Sequence, residues 1–212
     1  MKKTIFTIFI LLLLPLIFQI TPNEILKLKT FDYLVPEKSP SGYFSILNIT
    51  EDDIAKEGGY PLTRQRLAQI HNEILSNGAI GVGWVLSFPQ PDRFGGDQDF
   101  SQALAGSPSI IAMFENDNAQ FPKTTGTVIL GEEIGGINAK GVIQNIKVLQ
   151  DSSNQGIAVA RTDIDNLVRR LPLLMRTPDG WVPSYGTEVL KILAGSDTYV
   201  IKTNINGIEE IR

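Results

Sequence analysis

The polar run ARTDIDNLVRR, residues 160–170, sets Arg161, Arg169 and Arg170 beside Asp163 and Asp165. A guanidinium binds a carboxylate or another oxyanion through paired N–H donors, a geometry that lysine does not reproduce. Two adjacent arginines on a strand point to opposite faces. One of Arg169 and Arg170 therefore faces a helix layer or a pocket. It acts there either as an ion pair with Asp163 or Asp165 that fixes the turn, or as a contact to an anionic ligand at a strand end. The internal pair is the plainer reading.

A second acidic group lies in PDRFGGDQD, residues 91–99. Asp92, Asp97 and Asp99 are hard oxygen donors of the kind that hold Mg²⁺ or Ca²⁺. Their spacing does not match a calcium loop, and Asp99 is also placed to cap a following helix. Helix capping on a glycine-rich loop is the favoured reading, with no metal ligand and no cofactor expected. A carboxylate-based metal-binding protein remains the alternative. If the chain takes a small ligand, the expected place is the pair of strand-end loops carrying Asp92–Asp97 and Asp163–Arg170. Its candidate contacts are Asp92, Asp97, Arg161, Asp163, Asp165, Arg169 and Arg170.

Other chemistry finds little support. The one histidine, His71, sits at the edge of an apolar helix face and is expected to be partly buried with a hydrogen-bond partner. There is no cysteine and no Gly-x-Ser-x-Gly, so neither a thiol nor an elbow serine is present as a nucleophile. Gly78, Gly81 and Gly83 lie before and within a strand, whereas a phosphate cradle needs glycines between a strand and a helix N-terminus. The net charge of −4 argues against a nucleic-acid surface, which needs a basic field. No catalytic residue is assigned, and the chain is read as a non-enzyme.

The elements that position these residues begin after an uncharged run from Thr4 to Asn23, entered through Lys2 and Lys3. About twenty helical residues rise about 30 Å, the thickness of a bilayer's hydrocarbon core. The exit LIFQITPNE lacks a small-residue cleavage site, so the run is read as an uncleaved transmembrane anchor over residues 1–23. Lys2 and Lys3 on one flank are nearly balanced by Lys27 and Lys29 on the other, and it is the basic start at the extreme N-terminus that reads the remainder as extracytoplasmic. Residues 24–43 are expected to be a connector broken by Pro36, Pro40 and Gly42, and residues 44–212 a folded domain. With 42% hydrophobic and 20% charged residues, disorder is excluded.

Within that domain FSILNI (Phe44–Ile49) has strand character. Thr50 with Asp53 opens a short helix that Gly58-Gly59 ends. A longer helix spans Thr63 to Asn77, with Leu67, Ile70, Ile74 and Leu75 on one face and Gly78 as its stop. AIGVGWVLSF and SIIAMF read as buried parallel strands around a short helix, DFSQALAG. Leu67, Ile70, Ile74, Val82, Val85, Ile110 and Ile111 are the expected core. GIAVAR and LVRRLPLLMR are further strands. A helix runs from about Ser184 to Leu193, and TYVIKT and IEEIR form a hairpin through Asn206-Gly207. The expected fold is α/β, a three-layer domain on a mixed, partly parallel sheet, preceded by the transmembrane helix.

The order of these segments resembles a known family. LKLKTFDYL, FSILNITEDDI, GGYPLTRQRLAQIHNEILSNGAIGVGWVLSFPQPD, GGDQDFSQAL, GIAVARTDIDNLVRRLPLL and PSYGTEVLKIL together resemble the second CHASE family, extracellular sensory domains associated with bacterial cyclases and histidine kinases. The chain departs from the family at Asn48 and Thr50, where acidic residues are usual, at Tyr60 for tryptophan, and at Asn166 for the glycine after Asp165. The resemblance implies a sensor at the bacterial inner membrane whose soluble domain is periplasmic. It implies an unidentified small-molecule or protein signal, relayed to a cytoplasmic nucleotide cyclase or kinase outside this chain. A second copy of the chain is a further candidate partner. Relatives of this kind resume with more membrane spans, so the sequence is expected to stop short of the output domain.

Overall fold

The computed structural model describes residues 21–117, 120–122, 126–132, 136–205 and 207–212. The expected anchor therefore lies almost wholly outside the described residues. Among the described residues no helix is long and apolar enough to cross a membrane. The chain divides into two compact units, one joining the chain up to Asn48 with Arg161–Arg170, the other comprising Ile49–Ala160 and Leu171–Arg212.

The first unit is built on helix α1 (Thr21–Leu34), where the sequence suggested an irregular connector from residue 24. Pro22 is tolerated because the first turn has no N–H partner to lose. Thr30 Oγ1 donates to the Leu26 carbonyl at 2.8 Å, and Pro36 stops the helix shortly after Leu34. The apolar residues of α1 are spread round the helix instead of gathered on one face, so periodicity gave no sign of it. The strand expected over Phe44–Ile49 does not form. Among the described residues no strand pairs with it, and Ile46 is 96% exposed.

The second unit opens with α2 (Glu51–Lys56), started by a reciprocal capping box between Thr50 and Asp53. Asp53 returns a carboxylate to the Thr50 N–H at 3.0 Å, and Gly58 and Gly59 turn the chain away with positive φ. Helix α3 (Arg64–Ser76) begins at Thr63, whose hydroxyl accepts from the Arg66 N–H at 3.1 Å. It ends at Asn77 and Gly78, with φ +97° at the glycine. Next come β1 (Val82–Trp84), α4 (Asp97–Ala105) and β2 (Ser109–Glu115). They are followed by β3 (Thr127–Leu130), β4 (Ile137–Asn138), β5 (Val142–Ile143), α5 (Lys147–Gln150) and β6 (Asn154–Ala158). The chain finishes with β7 (Leu174–Thr177), β8 (Gly180–Pro183), α6 (Tyr185–Leu193), β9 (Tyr199–Asn204) and β10 (Gly207–Ile211).

The mixed, partly parallel α/β character is present, distributed among the described residues over three small sheets instead of one. In the first, β2 lies between β1 and β6, parallel to both, and meets β5 antiparallel at its far end. Flanked on both edges, β2 is buried along most of its length, as a central parallel strand should be. The second sheet sets β9 between β3 and β10, and the third sets β7 between β4 and β8.

Two expected strands are shorter than their apolar runs. Only Val82–Trp84 of AIGVGWVLSF pairs, and Val85, an expected core residue, is 61% exposed. β1 has one neighbour, and past Trp84 the chain leaves the sheet: the Phe88 N–H is taken by the Asn145 side chain at 2.6 Å. In LVRRLPLLMR only Leu174 onward is a strand, because Pro172 has no N–H to give a ladder. Of the other expected core residues, Leu67, Ile110 and Ile111 are buried, while Ile70, Ile74 and Val82 are half-buried at the margin.

The principal core lies where α3 and α4 cover the first sheet. Phe100 is fully buried there, edge-on to Trp84 at 5.5 Å and to Phe88 at 5.3 Å between ring centres. Burying such a side chain stabilises the fold by about 1.5–3 kcal/mol. A second cluster joins Met113 and Ile157 to Met175 and Val182, and a third joins Trp181 to Tyr199 and Ile201.

Candidate functional site

The residues from Asp163 to Leu167 fold into a tight turn. The Asp163 N–H donates to the Leu167 carbonyl at 2.9 Å, and the Asn166 N–H to the Asp163 carbonyl at 3.0 Å. Asn166 has φ +63°, a left-handed conformation that glycine takes freely and asparagine tolerates better than most residues. That explains why asparagine can stand at this position.

The turn aims its carboxylates at Arg169, whose side chain is 5% exposed. Arg169 Nη1 and Nη2 donate to the two oxygens of Asp165 at 2.7 and 2.6 Å. Nε and Nη2 donate to the two oxygens of Asp32, on α1, at 2.7 and 2.8 Å. Nη1 also donates to Asp163 at 3.1 Å. A guanidinium carries five N–H donors, and these bonds use all five. Arg169 thus holds the turn and helix α1 together and keeps no donor for a ligand.

The hydrogen bonds from Arg169 hold Asp165 down to about 2, and they hold Asp32 below the usual carboxylate range. The same bonds, first from Asp32 and then from Asp165, raise the pKa of Arg169. Arg170 is not on a strand either, and it is 73% exposed with one bond to Asp163 at 3.3 Å. Arg161 is exposed. Of the two adjacent arginines one is enclosed and the other open, although no strand alternation is responsible.

Asp92 and Asp97 form a separate cluster in the second unit, around Arg64, the first residue of α3. Asp92 Oδ2 accepts from the Arg64 N–H at 2.8 Å, capping α3 from a distant loop. Its other oxygen accepts from the Phe94 N–H at 3.1 Å, and Asp97 Oδ2 accepts from the Asp92 N–H at 2.8 Å. Burial pushes Asp92 up, but backbone N–H groups of Arg64, Phe94 and Gly96 outweigh it and hold the carboxyl below its ordinary range. The loop passes so close to α3 that a β-carbon on Gly96 would collide with the Gln65 backbone nitrogen.

The Arg64 guanidinium lies over the Phe88 ring at 4.3 Å. Its Nε is 3.5 Å from Asp97 Oδ1, and both atoms are buried without a hydrogen bond. Burial lowers the pKa of Arg64 against the raising effect of Asp97 and Asp92. Asp99 does not cap α4: the helix begins at Asp97, and Gly96 is its N-cap. Asp92, Asp97 and Asp99 do not converge as metal ligands, and among the described residues no group of three or more such side chains does.

His71 is buried, with Nδ1 accepting from the Trp84 indole N–H at 3.2 Å and Nε2 3.0 Å from Ser107 Oγ. That pattern assigns the proton to Nε2, and burial lowers the pKa, so the ring is neutral and structural. Sequence reasoning missed Asp32 and Arg64. Asp32 lies in LKLKTFDYL and Arg64 in YPLTR, both within the segments that carry the family resemblance, but local spacing links neither to its partners.

The model of the CHASE2 domain family matches residues 5–209, so the chain belongs to that family. CHASE2 domains are extracellular sensory domains of signalling receptors. No curated protein and no solved structure matches the chain.

Proposed function

We propose that this chain is the extracytoplasmic sensory part of a bacterial inner-membrane receptor, and that it relays a small-molecule or protein signal to a cytoplasmic nucleotide cyclase or kinase. Family membership supports the sensory role. The observation that carries the relay is the five-donor clamp of Arg169, which ties the 163–167 turn to Asp32 on α1. In sequence, α1 begins at the end of the long uncharged run. A displacement of the turn would be passed to α1, because breaking the link leaves carboxylates and a guanidinium without partners. No reacting group is needed for this task, and Asp92 and Asp97 each accept a hydrogen bond from a backbone N–H.

The segment after α1 is irregular and exposed and contains Lys38. Trypsin added to intact spheroplasts is expected to cut there and release a fragment beginning at Ser39. A chain that stays whole until the membrane is opened, or that fractionates with the cytosol, contradicts the proposed location.

A further inference from the structure

Helices α3 and α4 meet along a seam of small side chains, with Ala68 and Ala103 buried in it. Above the seam lies an open groove of about 450 Å³, its polar lining exposed to solvent. One wall carries Gln65, Gln69 and Asn72, at the four- and three-residue spacing that puts side chains on one helix face. The other carries Asp99 and Gln102. Among the described residues the side chains of Gln65, Asn72, Asp99 and Gln102 have no hydrogen-bond partner, and Gln69 spends only its oxygen, accepting from Arg66 at 3.3 Å.

We infer that this groove binds a neutral saccharide. Each carboxamide offers a donor and an acceptor side by side, which is what a sugar hydroxyl, itself both, can meet. Several amides lining one groove from two adjacent helices suit neighbouring hydroxyls on one ring. The alanine floor gives the C–H face of the ring an apolar surface. No lysine or arginine lines the groove and Asp99 is its one charge, so a phosphate, sulfate or carboxylate has no counter-charge there. The inference deepens the sensory reading by naming a ligand class. It stands apart from the Arg169 clamp, so its failure and the failure of the membrane topology would be seen in different experiments.

The test is calorimetric titration of the full chain in detergent with glucose, galactose, N-acetylglucosamine, maltose and chitobiose, each to tens of millimolar. The disaccharide arms separate a free sugar from the end of a glycan. At least one probe is expected to bind, and Asn72→Leu and Gln102→Leu are each expected to weaken it roughly three- to tenfold, the loss of one neutral hydrogen bond. Both positions are exposed, so the melting temperature should stay in place. Absence of binding by every probe overturns the inference, as does binding that both variants leave unchanged. Self-association that Gln102→Arg abolishes would also overturn it, by giving the groove to a second copy of the chain.

Discussion

Arg169 and Arg64 both stand among aspartates, and the fold uses them in opposite ways. Arg169 meets carboxylates with its edge and spends all five N–H donors on Asp32, Asp163 and Asp165. Arg64 uses its face, lying on Phe88, and leaves Nε unpaired beside Asp97. The surroundings explain the contrast. Among the described residues of the first unit, Leu28 is the one buried apolar side chain, whereas the second unit has Trp84, Phe88, Phe100 and Leu104. Where apolar burial is scarce, directed ion pairs fix the geometry. Where an aromatic core exists, the arginine becomes part of its cover and the aspartates turn to the backbone. A carboxylate-saturated arginine is a joint, and the sequence pattern of acids around arginines cannot by itself tell a joint from a ligand site.

The contrast is most exposed to failure at Arg64. Arg64→Ala removes the stacked cation and strands Asp97, and it should cost about 3 kcal/mol in denaturant unfolding, within the scale of broken buried pairs. A loss no larger than that of a surface substitution would erase the distinction between the two arginines. Asp92→Ala removes the distant cap of α3 and should cost about 1 kcal/mol, checked by the same unfolding midpoint.

The acid limb gives the third test. Asp165 titrates at about 2, below its ordinary 3.8, so the unfolded chain takes up the proton first. Its contribution is complete above the ordinary value, declines as pH falls through that window, and is gone below the folded value. The carboxyl carbon shift of Asp165 should follow this depressed midpoint in the wild type, and in Arg169→Gln the midpoint should move back up toward the ordinary value. An Asp165 midpoint already ordinary in the wild type breaks the joint reading. The smallest effect is expected from Asn166→Gly, which relieves the left-handed backbone and should stabilise the turn by at most about 1 kcal/mol.

Much of this was legible in the sequence where the signal was local. The capping box at Thr50 and Asp53, the start of α3 at Thr63, its stop at Gly78 and the pairing of TYVIKT with IEEIR all follow from short-range chemistry, and each is present. What stayed hidden depended on distance. Asp32 reaches Arg169 across 137 positions, Asp92 caps a helix 28 positions away, and Asn145 takes the Phe88 N–H from 57 positions away. Apolar runs also overstated the strands, because Val85 and Ile46 are apolar yet have no sheet neighbour to bury them. The amide stripe of α3 carries no charge, so charge patterning does not reveal it.

The central claim is that the 163–167 turn and helix α1 move as one body through Arg169. Amide hydrogen exchange on the full chain in detergent or bilayer, comparing wild type with Arg169→Gln, tests it directly, with β2 as the internal control. The account predicts faster exchange in both residues 161–170 and Thr21–Leu34, and unchanged exchange in Ser109–Glu115. Exchange that quickens in the turn while α1 keeps its wild-type protection would contradict it.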